Sequence, residues 1–258
     1  MRIMSYEIID FHMHPFFEKA DDFNFHKEVV DFTVSDIKNE LGKAGITKFC
    51  GSIIKQKDDS FASFHKSNEE ALKLRDMYEG SYIPGFQISP DYVEESLEEI
   101  DYAHENGVKL IGELVPYIHG WDDYSNERFG VLLDRIARYN MAVSLHTINL
   151  EQMEVMAKNH PDVTFVFAHP GEKNIALQHI DVMKKCDNVY LDISGTGIFR
   201  LGVLKRLVSD VGADRILFGT DFPICNPHCY VAGVVGEDIS DNDRQLIFSG
   251  NAKRILGL

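Results

Sequence analysis

The feature that most constrains this chain is an eightfold alternation of short apolar runs with longer amphipathic stretches. The runs cover residues 7–12, 47–54, 82–88, 108–114, 141–146, 164–169, 189–194 and 215–221. They are short, rich in β-branched residues and apolar on both faces. Parallel strands read this way when helices cover one face and a packed interior the other. Helical patterns fill the gaps at 34–44, 63–78, 91–105, 127–139, 151–159, 175–185, 201–211 and 241–255. In the third, Val93, Leu97, Ile100 and Ala103 lie close to helical spacing, and Asn106-Gly107 supplies a stop. Eight strand signals, each followed by a helix signal, predict an α/β protein of the (β/α)8 barrel type. An open doubly wound sheet is the alternative with the same alternation.

The length suits that architecture. A chain of 258 residues with 44% hydrophobic content fits one barrel domain over 1–258. No low-complexity linker divides it. The formal net charge of -15 argues against nucleic acid and anionic membrane surfaces as partners. That balance does not exclude a locally positive pocket, and a bound divalent metal would itself make one. The four cysteines, Cys50, Cys186, Cys225 and Cys229, form no disulfide framework, which points to a reducing compartment. No apolar run reaches eighteen residues and the N-terminal stretch is too short for a signal peptide. The expectation is a soluble, cytoplasmic protein.

In such barrels the chemistry sits at the C-terminal ends of the strands. The first run ends in Asp10, His12 and His14, the fourth near Glu113, the fifth in His146, the sixth in His169 and the eighth in Asp221. Histidines and carboxylates are the residue types that bind Zn2+ and similar ions. On a strand, i and i+2 share a face, so His12 and His14 would both face the axis. The alternative is a pair of surface histidines. Ile8, Ile9 and Phe11 argue against it by making the segment a buried strand. Asp221 follows an apolar run, and a carboxylate there is costly unless paired, protonated or metal-bound. Glu113 could be a ligand, bridging two ions, or could pair with Lys109 or a loop arginine. Asp10 could bond an imidazole N–H or be a simple core carboxylate.

Taken together, these pieces resemble the amidohydrolase superfamily, in its amidohydrolase-2 branch of TIM-barrel metal enzymes. The resemblance runs through IIDFHMHP, SLHT, FVFAHPG, VYLDISG and RILFGTDFP, and through the closing IFSGNAKRILGL. It implies one or two divalent ions, usually zinc, with manganese or another ion open. It implies His12, His14, His146, His169 and Asp221 as metal-site residues, with Asp221 and His169 also catalytic. Where many relatives carry a carbamylated lysine, the nearest match here is Glu113, which leaves the metal count open. Barrels of this branch often self-associate, so a homo-oligomer is open too.

The expected activity is hydrolysis of an ester, lactone, amide or related bond of a small molecule. A zinc-bound water would attack, with Asp221 handling its proton. The rival is non-oxidative decarboxylation of an aromatic or unsaturated acid, ranked second because this chain has short loops and because Glu113 could hold a second metal. A non-catalytic barrel ranks below both. Specificity would come from the loops, where Phe16, Phe17, Phe23, Phe25, His26, His119, Trp121 and His228 could line a pocket or anchor the loops. Arg200 could meet a substrate carboxylate or form a surface ion pair. Cys225, His228 and Cys229 match no common metal-site spacing and read as loop residues.

Overall fold

In the computed structural model, which describes residues 6–17, 32–54 and 60–258, eight parallel strands form one sheet in chain order. They are β1 (Ile8–Asp10), β2 (Ile46–Gly51), β3 (Tyr82–Phe86), β4 (Leu110–Leu114), β5 (Ala142–His146), β6 (Thr164–Ala168), β7 (Val189–Asp192) and β8 (Ile216–Leu217). The sheet closes on itself just beyond β1 and β8. Phe11 donates its N–H to the Phe218 carbonyl at 2.8 Å, Asp221 to the His12 carbonyl at 2.8 Å and His14 to the Phe222 carbonyl at 2.7 Å. Met13 and Phe222 form a parallel bridge there. The chain is therefore a TIM barrel, and the open doubly wound sheet is excluded.

Helices follow the strands as the patterns predict: α1 (Val34–Lys43), α2 (Phe61–Met77), α3 (Val93–Glu105), α4 (Pro116–His119), α5 (Glu127–Arg138), α6 (Leu150–Asn159), α7 (Lys173–Met183), α8 (Val203–Val211), α9 (Pro227–Gly236), α10 (Asp241–Gln245) and α11 (Asn251–Leu256). The amphipathic logic is clearest in α5. Phe129, Leu132, Leu133 and Ile136 repeat at three and four and are all buried, while the Asn126 side chain caps the Arg128 N–H.

Three details differ from the sequence expectation. The segments read as loops after the fourth and eighth strands contain α4 and α9. For α9 the signal was there: Asn226 caps the His228 N–H at 3.0 Å and Pro227 takes the first helical position. The final predicted helix is broken by a π turn at Leu246–Gly250 between α10 and α11. And β1 ends at Asp10, so His12 and His14 lie in extended chain just past the strand.

The apolar residues form two layers. The larger cluster packs the outer strand faces against the helices, joining Phe49, Val143, Phe165 and Leu191 to Leu41, Ile100, Leu132 and Ile180. The smaller takes single residues from six strands (Ile9, Cys50, Leu110, Ala142, Val166 and Leu217) with Ala252 and Leu256 of α11. Residues from so many strands can meet only inside the barrel. Leu110 and Ala142 are the first residues of their strands, which places α11, packed in the same layer, toward the N-terminal end. Two residues further along, the inward positions turn polar. Ala142 leads to Ser144 and His146 on β5, and Tyr190 to Asp192 on β7 and Ser194 just past it.

Candidate metal centre

At the C-terminal end of the barrel the six candidate residues from the sequence converge. His12 Nε2 lies 3.2 Å from His14 Nε2. Glu113 Oε2 is 3.5 Å from His12 Nε2 and 3.3 Å from His14 Nε2. Asp221 Oδ1 is 3.7 Å and 3.3 Å from the same two nitrogens. The other Glu113 oxygen meets His146 Nδ1 at 3.0 Å and His169 Nε2 at 3.5 Å. Glu113 thus sits at the centre of four imidazoles, and among the described residues it pairs with neither Lys109 nor an arginine. Two sets have ligand atoms close enough to share one ion: His12, His14 and Asp221, and His12, Glu113 and His169. His146 belongs to neither set among the described residues.

Hydrogen bonds fix the tautomers of the first two histidines. His12 Nδ1 lies 2.9 Å from Asp192 Oδ2, and a carboxylate can only accept. His14 Nδ1 lies 3.4 Å from the Ser52 carbonyl, again an acceptor. Both rings therefore carry their proton on Nδ1 and turn an Nε2 lone pair inward. With both rings neutral, two lone pairs and two carboxylate oxygens would face one another with no hydrogen between them. Asp221 Oδ1 is buried without a hydrogen-bond partner. Such a nest needs positive charge. Without an ion it draws protons: burial pushes both rings down, but Asp192 and Glu113 hold His12 well above the ordinary imidazole value, and Asp221 and Glu113 hold His14 at about 9. Burial opposes the charge on Glu113 too, yet His12, His14 and His146 hold it well below the usual carboxylate range. A divalent cation fits this donor set.

His169 and Asp221 adopt left-handed backbone, with φ of 69° and 65°. For residues with a Cβ this costs on the order of 1–3 kcal/mol each, a strain that functional sites commonly hold. Desolvation keeps His169 below the ordinary imidazole value, and its Nδ1 lies 3.1 Å from the Ser194 hydroxyl. Gly195, at φ 62°, leaves room for that ring: a Cβ there would stand 2.3 Å from His169 Nδ1. Beside these residues opens a cavity of about 530 Å3 lined by His146, His169 and Asp221, by the aliphatic Ile148, Leu150 and Ile175, and by polar residues such as Thr147 and Gln178.

Other expectations resolve as follows. Asp10 bonds no imidazole nitrogen. Its carboxyl takes the backbone N–H of Thr220 at 2.9 Å and of His12 at 3.2 Å, together with the Thr220 hydroxyl. Arg200 pairs with Glu172 at 2.9 Å on the cavity rim. Phe16, His119 and Trp121 pack inward as loop anchors and do not line the cavity. Phe23, Phe25 and His26 lie outside the described residues. No group with metal-ligand spacing forms at Cys225, His228 and Cys229. No described helix is long and apolar enough to cross a membrane. The sequence reading missed Asp192 at the end of β7 and Ser194 just past it, and Ser52 and Gln87 just past β2 and β3. A lone Asp inside the apolar run VYLDIS was the available signal, since a buried carboxylate demands a partner.

Comparison with known proteins places this site in context. The amidohydrolase family matches residues 9–258. The γ-resorcylate decarboxylase of Polaromonas sp. (strain JS666) is 39% identical over 72 residues, 28% of this chain and 22% of that protein. The match therefore spans under a quarter of that relative. Among solved structures, a dihydroxybenzoic acid decarboxylase from Polaromonas sp. JS666, with bound manganese and the inhibitor 2-nitroresorcinol, superposes with a TM-score of 0.70 at 17% identity, covering 98% of this chain and 97% of that one. A 5-carboxyvanillate decarboxylase from Sphingomonas paucimobilis superposes at 0.76 with 12% identity, covering 98% and 99%.

These likenesses overturn the expectation of hydrolysis. Each of these three relatives is named as a decarboxylase. The physical reasons for ranking hydrolysis first also fail. The decarboxylases share the barrel over 98% of this chain, so its short connections do not set it apart from them in fold. Nor does Glu113 decide for hydrolysis: it falls in one candidate ligand set with His12 and His169, and a ligand carboxylate there serves either reaction.

Proposed function

Because this chain belongs to the amidohydrolase family, we propose that it is a metal-dependent, non-oxidative decarboxylase of a small aromatic carboxylic acid. The observation that carries this is the pairing of the cation-seeking nest with a cavity of mixed polar and apolar lining that includes Asp221, His146 and His169. A volume of about 530 Å3 lies in the range of small-molecule sites. Ile148, Leu150 and Ile175 offer a wall for a flat ring. The likeness to the resorcylate enzyme supports the substrate class.

His12, His14 and Asp221 would hold the ion, with Glu113 beside them and His146 and His169 turned toward the substrate. A divalent ion supplies positive charge that orients an anionic acid and eases build-up of negative charge on its oxygens. Manganese and zinc both suit imidazole and carboxylate donors, and the manganese bound by one relative favours manganese as the first ion to test. The bond from the ring to the carboxylate breaks as CO2 leaves, its electron pair stays on the ring carbon, and that carbon takes a proton. Asp221 is our choice for the residue that delivers the proton, with His169, kept neutral by burial, as its neighbour on the cavity wall.

The test uses chelator-stripped protein reloaded with Mn2+ or Zn2+ and offered ring-hydroxylated benzoates, with CO2 and the arene product measured separately. Metal-dependent CO2 release should fall by about 10^2-fold or more in Asp221→Asn, with metal content assayed in the same samples. Fully loaded wild-type protein that releases no CO2 from any acid in the panel would overturn the proposal.

A further inference from the structure

Behind the metal centre runs a buried chain of amides and hydroxyls. The Gln87 side chain spends both amide hydrogens at once: Nε2 lies 2.6 Å from the Glu113 carbonyl and 2.6 Å from Ser52 Oγ. A main-chain carbonyl only accepts, which fixes this end of the side chain as the NH2 group. Ser52 in turn donates its hydroxyl to the same Glu113 carbonyl at 3.2 Å, and its own carbonyl takes His14 Nδ1. Gln87 therefore ties the end of β3 to the residues that orient Glu113 and His14.

Gln87 is itself clamped. Asn68 on α2 accepts from the Gln87 N–H at 2.7 Å and donates to the Gln87 carbonyl at 2.9 Å. Asn68 Nδ2 also reaches Glu99 of α3 at 2.9 Å, and the other Glu99 oxygen lies 2.8 Å from Nδ1 of the half-exposed His65. Asn68, Gln87, Ser52, Glu99 and Glu113 are all buried. Buried amides cost stability unless bonded, and Gln87 Oε1 is left without a partner. An apolar side chain would fill this space without that cost. Retaining the amide makes sense if its hydrogens hold something that must stay in place.

We propose that Gln87 is a positioning residue for the metal centre, setting ion affinity through the Glu113 main chain and, by way of Ser52, through His14. The inference rests on the metal-site reading above but not on the reaction. The test is direct titration of stripped protein with Mn2+ against a chelating indicator, with thermal unfolding of the metal-free forms alongside. Gln87→Met keeps the length of the side chain and removes both donors, and should weaken Mn2+ binding by about 10-fold or more, as loss of outer partners of metal ligands does. Ser52→Ala is the milder second variant if Gln87→Met does not fold, and should weaken binding in the same direction. Tyr82→Phe is the control. It removes a buried bond of 2.7 Å to the Gly51 carbonyl beside this network but touches neither Glu113 nor His14. It should lower Tm while leaving Mn2+ affinity within about two-fold. Unchanged affinity in the folded Gln87 or Ser52 variant overturns the proposal. So does an equal loss in Tyr82→Phe, which would mark a general loosening of the barrel. Wild-type protein that takes up no divalent ion overturns both this and the metal-site reading, whereas absent decarboxylation with normal Mn2+ binding overturns only the latter's chemistry.

Discussion

Asp10 offers a sharp test of how this barrel is closed. Its carboxyl is fully buried between β1 and the turn after β8, and burial pushes it up from 3.8 to about 7 despite the donors from Thr220 and His12. A folded-state value above the unfolded one means that the native state holds the proton more tightly. The resulting stability is present in full below the unfolded value and is lost as pH rises through about 7. Each unit of displacement is worth about 1.4 kcal/mol, so close to three units come to about 4 kcal/mol in total. Asp10→Asn, which resembles the protonated acid, removes this dependence. Its oxygen can accept the two N–H groups while its NH2 faces the Thr220 hydroxyl, which can turn to accept. Urea unfolding of metal-free wild-type and variant protein from pH 5.5 to 8.5 measures the difference. The variant should gain on wild type by about 1.4 kcal/mol per pH unit up to about pH 7 and then hold a constant lead. Parallel stability profiles would show that Asp10 is ionised in the fold, held by its three donors, and would refute the reasoning.

Two further substitutions probe the site from behind. Asp192 Oδ1 accepts from the Ser194 N–H at 2.9 Å and from the Ser194 hydroxyl, while Oδ2 takes His12 Nδ1. In Asp192→Asn the amide oxygen must stay with the Ser194 N–H, so its NH2 turns on His12 and drives the ring to the other tautomer. Mn2+ affinity should fall by about 10- to 100-fold, and an unchanged titration would sink this account. Gly195→Ala sets a methyl against His169 and forces a left-handed alanine. Turnover should collapse with little loss of bound metal, as read by single-turnover kinetics and metal analysis. A fully active variant would show that the His169 ring is free to move.

Much of this was legible in the chain itself. The strand–helix alternation gave the barrel because each run must be apolar on both faces to sit between helices and interior. The rule that chemistry gathers at the C-terminal strand ends found His12, His14, Glu113, His146, His169 and Asp221, which the fold brings together around one carboxylate. What escaped were the supports. Ser52, Gln87 and Asp192 are ordinary polar residues whose importance comes from partners far off in sequence, such as His12 at 180 residues from Asp192. Spacing along one strand cannot reveal a bond across the barrel. The reaction escaped for a different reason: the same donors hold an ion for hydrolysis and for decarboxylation, so the residue types do not discriminate.

The closure of the sheet has a consequence for how the protein comes into being. His12 and His14 leave the ribosome early, but Asp221 and the hydrogen bonds that dock its segment against His12 arrive some two hundred residues later, as the 210-residue separation of Asp10 and Thr220 illustrates. Contacts so distant in sequence are the slow ones to form. A nascent chain carrying its first two histidines has no ion site to offer, and any metal it met would find only loose, competing ligands. Ion capture at the proposed site would thus mark the completion of the barrel, and a chain ended between β7 and β8 would lack Asp221 while keeping seven of the eight strands.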